Sequence, residues 1–423
     1  MGAITPAGAD VGDLWAGVIS GNSFIKPLAE ISSSSLFGQH TFLSDSVAEI
    51  AEDAFRREVE NLPEEFRHQD RYIQIAAIAA RQALSQADAQ VVISKNPERT
   101  GVVVSTAISG TKQMETEFLV VTNGGVEDID PANATPYLYL ASMSSTPAHM
   151  LATLIGATGP AYALSTGCIG GIDAFGAAFE EIASGECDMV VCGAAEAPIT
   201  PVTVAAFEVI GCLSQNFHGD AQRASRPFDA KRNGFVLGEG AAFFVLEDLD
   251  HALARGASPL AEVTSFASTA NALHMTDLVN EGVDLSRALD DAVREAGLEA
   301  RDIDYVSAHG SSTPQNDRFE TRALRNSLGS HADDVPVSSA KSMLGHALSA
   351  ASAIELVLCA QALQKGWISG TANYEYPDPE CDLDYVVEGA REWRGNTILK
   401  GASGFAGLHA ATTLRRWEAD HEG

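Results

Sequence analysis

Residues 163–182 read ALSTGCIGGIDAFGAAFEEI. The stretch begins as a short apolar strand, turns through a glycine and continues as an amphipathic helix, with Cys168 at the turn. The N-terminus of a helix carries a partial positive charge, which favours thiolate over thiol and can lower the pKa of a cysteine. Cys168 is therefore a candidate nucleophile. Taken alone, it could equally be a small buried thiol in a tight turn.

Two other segments repeat this order of strand, turn and reactive side chain. Residues 304–317 (DYVSAHGSSTPQND) place His309 after an apolar run, and residues 335–357 (VPVSSAKSMLGHALSAASAIELV) place Lys341 and His346 after another. A cysteine with distant histidines that the fold can bring together is typical of thiol catalysis. Each histidine taken singly could instead be a hydrogen-bonded structural residue.

Strand-like and helix-like runs alternate along the whole chain, which predicts an α/β architecture with buried sheets. The strand, turn and alanine-rich helix around Cys168 resemble those around Lys341 and His346. This internal similarity indicates two similar halves with their sheets stacked on each other. We place the halves at residues 1–250, which carry the nucleophile, and 251–423, which carry the histidines.

The composition excludes several classes of function. The chain has 423 residues and a formal net charge of −30, from 27 Lys and Arg against 57 Asp and Glu. Such a chain lacks the basic stripe that neutralises phosphates, so we expect it to bind neither nucleic acid nor an anionic membrane. The weakly charged stretch around residues 144–172 is interrupted by Pro147 and Pro160, so we do not expect a membrane span.

The cysteines show no paired C-x-x-C pattern, which argues against disulfides and against a zinc site. They are Cys168, Cys187, Cys192, Cys212, Cys359 and Cys381. The N-terminus shows no basic stretch followed by an apolar core, so we expect no signal peptide. These features together predict a cytoplasmic protein with reduced thiols.

Taken together, the motifs resemble the β-ketoacyl synthase family, in particular the catalytic alpha subunits of bacterial type II polyketide ketosynthases. They are, in chain order, GAITPAG, STGCIGGIDAFG, CGAAEAPITPVTVAAF, ASRPFDAKRNGFVLGEGAAFFVLE, HMT, AHGSSTPQND, SSAKSMLGH, PDPECDLDYV and GFAG. The resemblance implies the thiolase-like fold, with layers in the order α-β-α-β-α, and a dimer as the working unit. It also implies thioester substrates on the phosphopantetheine arm of acyl carrier protein, with no permanently bound cofactor and no metal.

The resemblance also implies roles for the reactive residues. Cys168 would carry the acyl group, while His309 and His346 would act in the decarboxylation of a malonyl thioester. Two neutral imidazole N–H groups aimed at the enolate oxygen would stabilise the charge where it develops. The enolate carbon would then attack the acyl group on Cys168. Lys341 would hold and polarise the histidines, although it could also be a surface lysine.

The same resemblance implies supporting residues. Glu320 and Glu355 match acidic positions that could balance the charge of Lys341, or they could be solvated helix residues. The backbone N–H groups of Cys168 and Phe405 would form an oxyanion hole. Phe405 would also gate the acyl pocket, unless it is only a packing anchor between two glycines.

The resemblance also implies residues that would contact acyl carrier protein. Ser311 and Thr313 match hydroxyls that bind the phosphopantetheine arm, although such residues also make local turn hydrogen bonds. In residues 62–72 (LPEEFRHQDRY) the family pattern is more basic, so Arg67 remains as a weak docking residue for acyl carrier protein, or a partner chain supplies the docking patch. The family also opens with an apolar first strand that is missing before GAITPAG.

The leading prediction is a decarboxylative Claisen condensation between an acyl thioester on Cys168 and malonyl-acyl carrier protein, which extends a polyketide chain. The closing motif GFAGLHA favours this branch, run as a heterodimer with a chain-length factor. The alternative is a homodimeric β-ketoacyl-ACP synthase of fatty-acid elongation. A non-catalytic partner subunit, which usually lacks the cysteine, and a thiolase or acyl-CoA condensing enzyme are further alternatives. We expect residues 105–145 at the dimer interface and the pocket.

Overall fold

The computed structural model describes residues 1–30, 37–38, 42–215, 220–278 and 280–418. The strands that these residues form are, in chain order, β1 (Gly2–Ile4), β2 (Lys26–Pro27), β3 (Ser46–Ala48), β4 (Thr100–Ser105), β5 (Ala161–Leu164), β6 (Met189–Glu196), β7 (Leu237–Gly238), β8 (Gly240–Glu247), β9 (Ala261–Ala270), β10 (Tyr305–Ser307), β11 (Val337–Ser338), β12 (Trp367–Ile368), β13 (Arg391–Glu392), β14 (Thr397–Gly404) and β15 (Leu408–Arg416).

The α-helices of the described residues are, in chain order, α1 (Val11–Ile19), α2 (Glu52–Glu60), α3 (Glu64–Arg67), α4 (Arg71–Ala87), α5 (Gln90–Lys95), α6 (Thr111–Val121), α7 (Pro136–Ser142), α8 (Thr146–Ile155), α9 (Gly170–Ala183), α10 (Pro201–Val209), α11 (Leu249–Ala254), α12 (Val283–Glu295), α13 (Pro314–Leu328), α14 (Lys341–Leu344) and α15 (Leu348–Lys365). Short 3-10 turns connect several of these elements, and one of them, Gly167–Ile169, carries Cys168.

Two five-stranded sheets of identical topology form the centre of the molecule. Their strand orders are β1-β8-β6-β4-β5 and β11-β10-β14-β15-β9. In the first sheet β5, β4 and β6 run parallel, while β8 and β1 continue antiparallel. In the second sheet β11, β10 and β14 run parallel, while β15 and β9 continue antiparallel. The five strands of each half therefore take the same places in chain order, as the internal similarity of the sequence predicts.

Helices α9 and α15 pack between the two sheets and against each other. On the opposite face of the first sheet lie α4 and α8, and α12 covers the second sheet with α13 packed against it. A helix that is apolar on all sides is a buried helix, and every residue of α15 from Leu348 to Leu363 is buried. The result is the predicted α-β-α-β-α sequence of layers. Among the described residues, no helix is both long and apolar enough to cross a membrane.

The opening strand is present in a short form, which corrects the expectation that it is missing. Strand β1 pairs its three residues with Ala241–Phe243 of β8. The equivalent edge strand of the second sheet, β9, pairs along the whole of β15. The two halves therefore share a topology but differ in the length of this edge.

Glycines let the two central helices approach each other. A Cβ atom added to Gly171 of α9 would lie 2.4 Å from the backbone nitrogen of Ala353 in α15. Contacts this short cannot form, so the crossing requires a residue without a side chain at this position.

We expect Gly171→Val to separate α9 from α15 and to lower the free energy of unfolding by about 2 kcal/mol or more, because overpacking a close-packed core costs energy of this order. The matched control is Gly12→Val in the exposed first turn of α1, where an added Cβ would lie 3.1 Å from Oδ1 of Asp10 and meet no backbone of another helix. Urea unfolding of both variants provides the measurement. Equal stability of the two variants would contradict a tight helix crossing.

Candidate active site

Cys168 lies where the sequence places it, at the turn between a strand and a helix. Strand β5 ends at Leu164, and α9 begins at Gly170. Gly167 has a φ of +62°, a left-handed conformation that glycine adopts without strain. The turn presents a buried thiol directly before the N-terminus of α9.

The second sheet brings the other predicted residues to the same place. His309 follows β10 by two residues, Lys341 follows β11 by three, and Phe405 directly follows β14. These three strands are parallel neighbours, so their carboxyl ends meet at one edge of the sheet. The cavity there has a volume of about 50 Å³ and is lined by Cys168, Phe235, Thr276, Leu278, His309, Ser311, Thr313, Gln315, Asn316, His346, Ser403, Gly404 and Phe405.

The two histidines face each other in this cavity. Their ring centroids are 5.3 Å apart, with the ring planes at 79°. The ring of Phe235 packs edge-on against His346 with centroids 5.1 Å apart. The main chain of His346 is held by a hydrogen bond from its N–H to the carbonyl of Val236 (2.7 Å) and by one from the N–H of Gly238 to its own carbonyl (3.0 Å). Phe235 therefore helps to fix a histidine for which the sequence shows no partner.

Both imidazoles are held in the neutral form. Burial lowers the pKa of His309 and of His346 well below the usual value, and the positive charge of Lys341 lowers it further. A neutral imidazole offers one N–H donor and one nitrogen acceptor. The cavity therefore contains two uncharged donors and two proton acceptors next to a thiol.

Lys341 contacts the main chain of His309 rather than its ring. Its ammonium donates to the carbonyl of His309 (2.6 Å) and to Oε1 of Glu355 (2.5 Å). Burial lowers the pKa of Lys341, and the nearby Glu355 opposes that shift. The lysine thus ties the turn that carries His309 to the central helix α15.

Glu355 and Glu320 have different binding partners. Glu355 forms the ion pair with Lys341, as the resemblance implies for an acidic partner. Glu320 accepts hydrogen bonds from the backbone N–H groups of His309 (2.6 Å) and Gly310 (2.7 Å). Its hydrogen bonds therefore hold the histidine turn, and its charge also acts to raise the pKa of Lys341. Burial raises the pKa of Glu320 to about 7.

The thiol of Cys168 is not activated in the way expected from the helix N-terminus alone. Burial raises the pKa of Cys168 to about 11, while the charge of Lys341 and hydrogen bonds from the backbone N–H groups of Cys168 and Phe405 act in the opposite direction. The expected low pKa is wrong, because desolvation of a buried thiolate outweighs these favourable contacts. The same two N–H groups point at the sulfur, so they are placed to bind an oxyanion formed there.

Of the remaining predicted residues, Ser311, Thr313 and Phe405 line the cavity, whereas Arg67 does not. Ser311 and Thr313 line the cavity, where their hydroxyl oxygens are 2.9 Å apart, and the Thr313 side chain also caps α13. Phe405 lies at the cavity wall with its ring 6.5 Å from that of Phe207. Arg67 is exposed on α3, where its Nε donates to the carbonyl of Leu62 (2.8 Å). It does not line the cavity.

Sequence reasoning missed Lys400. This lysine lies in β14, is fully buried, and pairs with Oε2 of Glu355 at 2.8 Å. The available signal was a single lysine within the apolar strand TILKGASG. Across the described residues, no group of three or more His, Cys, Asp or Glu is arranged to hold a metal ion.

Comparison with known proteins finds close relatives of the whole chain. Residues 1–252 match the family described as beta-ketoacyl synthase, N-terminal domain, and residues 260–375 match the corresponding C-terminal domain. The tetracenomycin polyketide synthase ketoacyl synthase alpha subunit of Streptomyces glaucescens is 42% identical over 417 residues, which are 98% of this chain and 96% of the relative.

Two solved structures are similar over nearly the full length. One is a type II PKS acyl-carrier protein in complex with its ketosynthase bound to the hexaketide, with a TM-score of 0.89, 35% identity, and coverage of 99% of this chain and 98% of the other. The other is the ishigamide ketosynthase/chain length factor, with a TM-score of 0.86, 29% identity, and the same coverage of both chains.

We expect alkylation of Cys168 by iodoacetamide to be slow at neutral pH and to accelerate up to about pH 11, because the thiolate is the reacting form. Lys341→Met should move the profile to still higher pH, since the lysine charge favours the thiolate. Mass spectrometry of the peptide that contains Cys168 measures the rate. A plateau near pH 8 would show that the thiol is activated after all.

Proposed function

The chain belongs to the β-ketoacyl synthase family, and we propose that Cys168, His309 and His346 are the reacting groups of a decarboxylative condensation that extends a polyketide. The family matches confirm the predicted enzyme class and the thiolase-like fold. The observation that carries the assignment of residues is that two neutral imidazoles face each other in the cavity that contains the thiol. We further propose that residues 1–250 supply the nucleophile and residues 251–423 the histidines.

In the first step the sulfur of Cys168 attacks the carbonyl carbon of an acyl thioester on acyl carrier protein. The new S–C bond forms first and gives a tetrahedral oxyanion; collapse of this oxyanion breaks the bond to the carrier sulfur, and the carrier thiol leaves with the proton that Cys168 gave up. Because the resting thiol is protonated, its proton must pass to a neighbouring acceptor, and the neutral imidazoles lie in the same cavity. The N–H groups of Cys168 and Phe405 stabilise the oxyanion between these events.

In the second step a malonyl thioester loses carbon dioxide. The bond between its carboxylate and the neighbouring carbon breaks, and the electron pair remains as an enolate. His309 and His346 each offer an N–H to the enolate oxygen, where the negative charge develops. The enolate carbon then attacks the acyl carbon on Cys168, which forms one C–C bond and releases the thiolate.

We propose acyl carrier protein and a chain-length factor as partners. A carrier complex and a ketosynthase/chain length factor are found among the similar solved structures. On this chain, α6 and α7 expose large apolar side chains, with Phe118 and Val120 of α6 each 53% exposed and Tyr139 of α7 67%. An exposed apolar group of this kind is typical of a protein interface. These residues lie within the range 105–145 that we expect at the dimer interface.

For the carrier protein we propose two contact points. Ser311 and Thr313 would bind the phosphopantetheine arm in the cavity, since their hydroxyls lie at its wall. Arg67 would contact the acidic surface of the carrier from the exposed helix α3.

We expect substitution of Cys168 and substitution of the two histidines to affect different steps of the reaction. Cys168→Ala should abolish acyl transfer to the protein, because the thiol is the acceptor. His309→Ala and His346→Ala should retain transfer but lose at least about a hundredfold in malonyl decarboxylation, the scale for loss of an oxyanion donor. Mass spectrometry of acylated protein and release of labelled carbon dioxide measure the two steps, with circular dichroism as the control for folding. Acylation of the Cys168→Ala protein, or decarboxylation by both histidine variants at the normal rate, would refute the assignment.

We expect Phe118→Asp to prevent association with a chain-length factor, because a carboxylate in an apolar interface is left desolvated. The control is Val91→Asp on α5, an exposed apolar position (59%) outside the proposed interface. Size-exclusion chromatography after coexpression with a candidate chain-length factor measures formation of the complex. Purified self-dimers with full elongation activity and no complex would instead favour the homodimeric fatty-acid enzyme.

A further inference from the structure

The candidate site contains two buried ammonium groups that share one carboxylate. Lys341 lies 2.5 Å from Oε1 of Glu355, and Lys400 lies 2.8 Å from Oε2 of the same side chain. All three side chains are almost completely buried. One lysine and one glutamate would make a neutral pair, so the second lysine gives this trio a net charge of +1 beside the histidines.

Lys400 is also attached to the main chain that leads to His309. Its ammonium donates to the carbonyls of Ser307 and Ala308, each at 3.3 Å, and to that of Gly401 at 2.7 Å. Ser307 of β10 stands directly opposite Lys400 of β14 in the sheet register. The lysine thus links the end of β10 to β14 immediately before the histidine turn.

Other titratable groups surround this trio. Burial is the largest cause that lowers the pKa of His309, His346 and Lys341, and the charge of Lys400 lowers each of these pKa values further. At Lys341 the charge of Glu355 opposes the shift. Four more titratable groups lie nearby, and burial is the main cause of the pKa shift of each. It raises the pKa of Glu320 to about 7 and that of Cys359 to about 12, and it also raises the pKa of Asp317. It lowers the pKa of His409 to about 4. Asp317 lies 3.7 Å from Arg232, which balances its charge.

We propose that Lys400 is a positioning residue of the condensation site: it shares Glu355 with Lys341, fixes the main chain before His309, and sets the positive charge felt by both imidazoles. The inference rests on the proposed roles of His309 and His346. It assigns a function to a residue that touches neither the cysteine nor the imidazole rings.

The direction of the effect follows from the charges. A nearby positive charge disfavours a second positive charge, so Lys400 makes protonation of the imidazoles harder. A protonated imidazole cannot accept the proton of Cys168, and its charge would hold the malonyl carboxylate and oppose loss of carbon dioxide. Without Lys400 the histidines should protonate at higher pH, and the acid limb of decarboxylation should move to higher pH.

The test uses Lys400→Met, which is unbranched and one heavy atom shorter than lysine, and which removes the charge. We expect the acid limb of malonyl-acyl carrier protein decarboxylation to rise by about half a pH unit or more, which is about threefold in rate on that limb. Acylation of Cys168 at pH 8 should persist. The control Lys95→Met, an exposed lysine of α5, should leave the profile unchanged.

A charge-balanced variant sharpens the experiment. The trio carries +1 in the natural chain, no net charge in Lys400→Met, and +1 again in the double variant Lys400→Met/Glu355→Gln. If charge sets the profile, the double variant should return the acid limb towards its natural position. A further shift in the double variant would show that lost contacts, rather than charge, cause the effect, and would overturn the electrostatic part of the inference.

Lys400→Gln is the second single variant, because it retains two N–H donors for the carbonyls without the charge. It should show the same shift as Lys400→Met, and it covers the case in which the methionine variant does not fold. If His309→Ala loses decarboxylation but a folded Lys400 variant keeps the natural acid limb, the inference about Lys400 is wrong and the proposed function stands. If His309→Ala and His346→Ala both decarboxylate at the normal rate, the proposed function itself fails.

Discussion

The site depends on Glu355, whose carboxylate is the shared counter-charge of two buried ammonium groups. A buried ammonium is stable only when a counter-charge and hydrogen-bond acceptors surround it, so each lysine must lie where this carboxylate can reach it. Glu355 belongs to the central helix α15, Lys341 to the short helix before it, and Lys400 to a strand of the second sheet. The Glu355 carboxylate therefore fixes the positions of α14 and β14 relative to α15. Through Lys341, the carbonyl of His309 is attached to the same cluster.

Desolvation then determines the protonation states of the thiol and the two imidazoles in the cavity. The same exclusion of water raises the pKa of the Cys168 thiol and lowers the pKa of both imidazoles, because it penalises every charged form. The resting site consequently holds a neutral thiol and neutral imidazoles instead of a thiolate and imidazolium pair. Charge separates only as bonds change, and it does so beside donors that are already in place. This is the arrangement expected of a site that stabilises a transient enolate.

The features that could be predicted from the sequence are those formed by residues that lie close together in the chain. The strand, glycine turn and helix around Cys168 are adjacent in the chain, so the position of this thiol before a helix and the local fold around it could be predicted directly. The repetition of that unit before His346 predicted the second half as well. Lys400 and Phe235 could not be assigned in this way, because their partners are set by strand register and by packing between distant segments. The sign of the Cys168 pKa shift was missed for a related reason, since the extent of burial is a property of the assembled layers. Glu320 was recognised as an acidic position, but its backbone partners became visible only once the turn after β10 was in place.

The placement of the two central helices has a consequence for the electric field in the cavity. Helix α9 begins two residues after Cys168, and α15 begins two residues after His346. Both helices thus present their amino ends, which carry partial positive charge, to the space where the acyl and malonyl groups would meet. The repeated fold therefore supplies two helix amino ends, one from each half of the chain, and a negatively charged intermediate would be attracted by backbone that no side-chain substitution can remove.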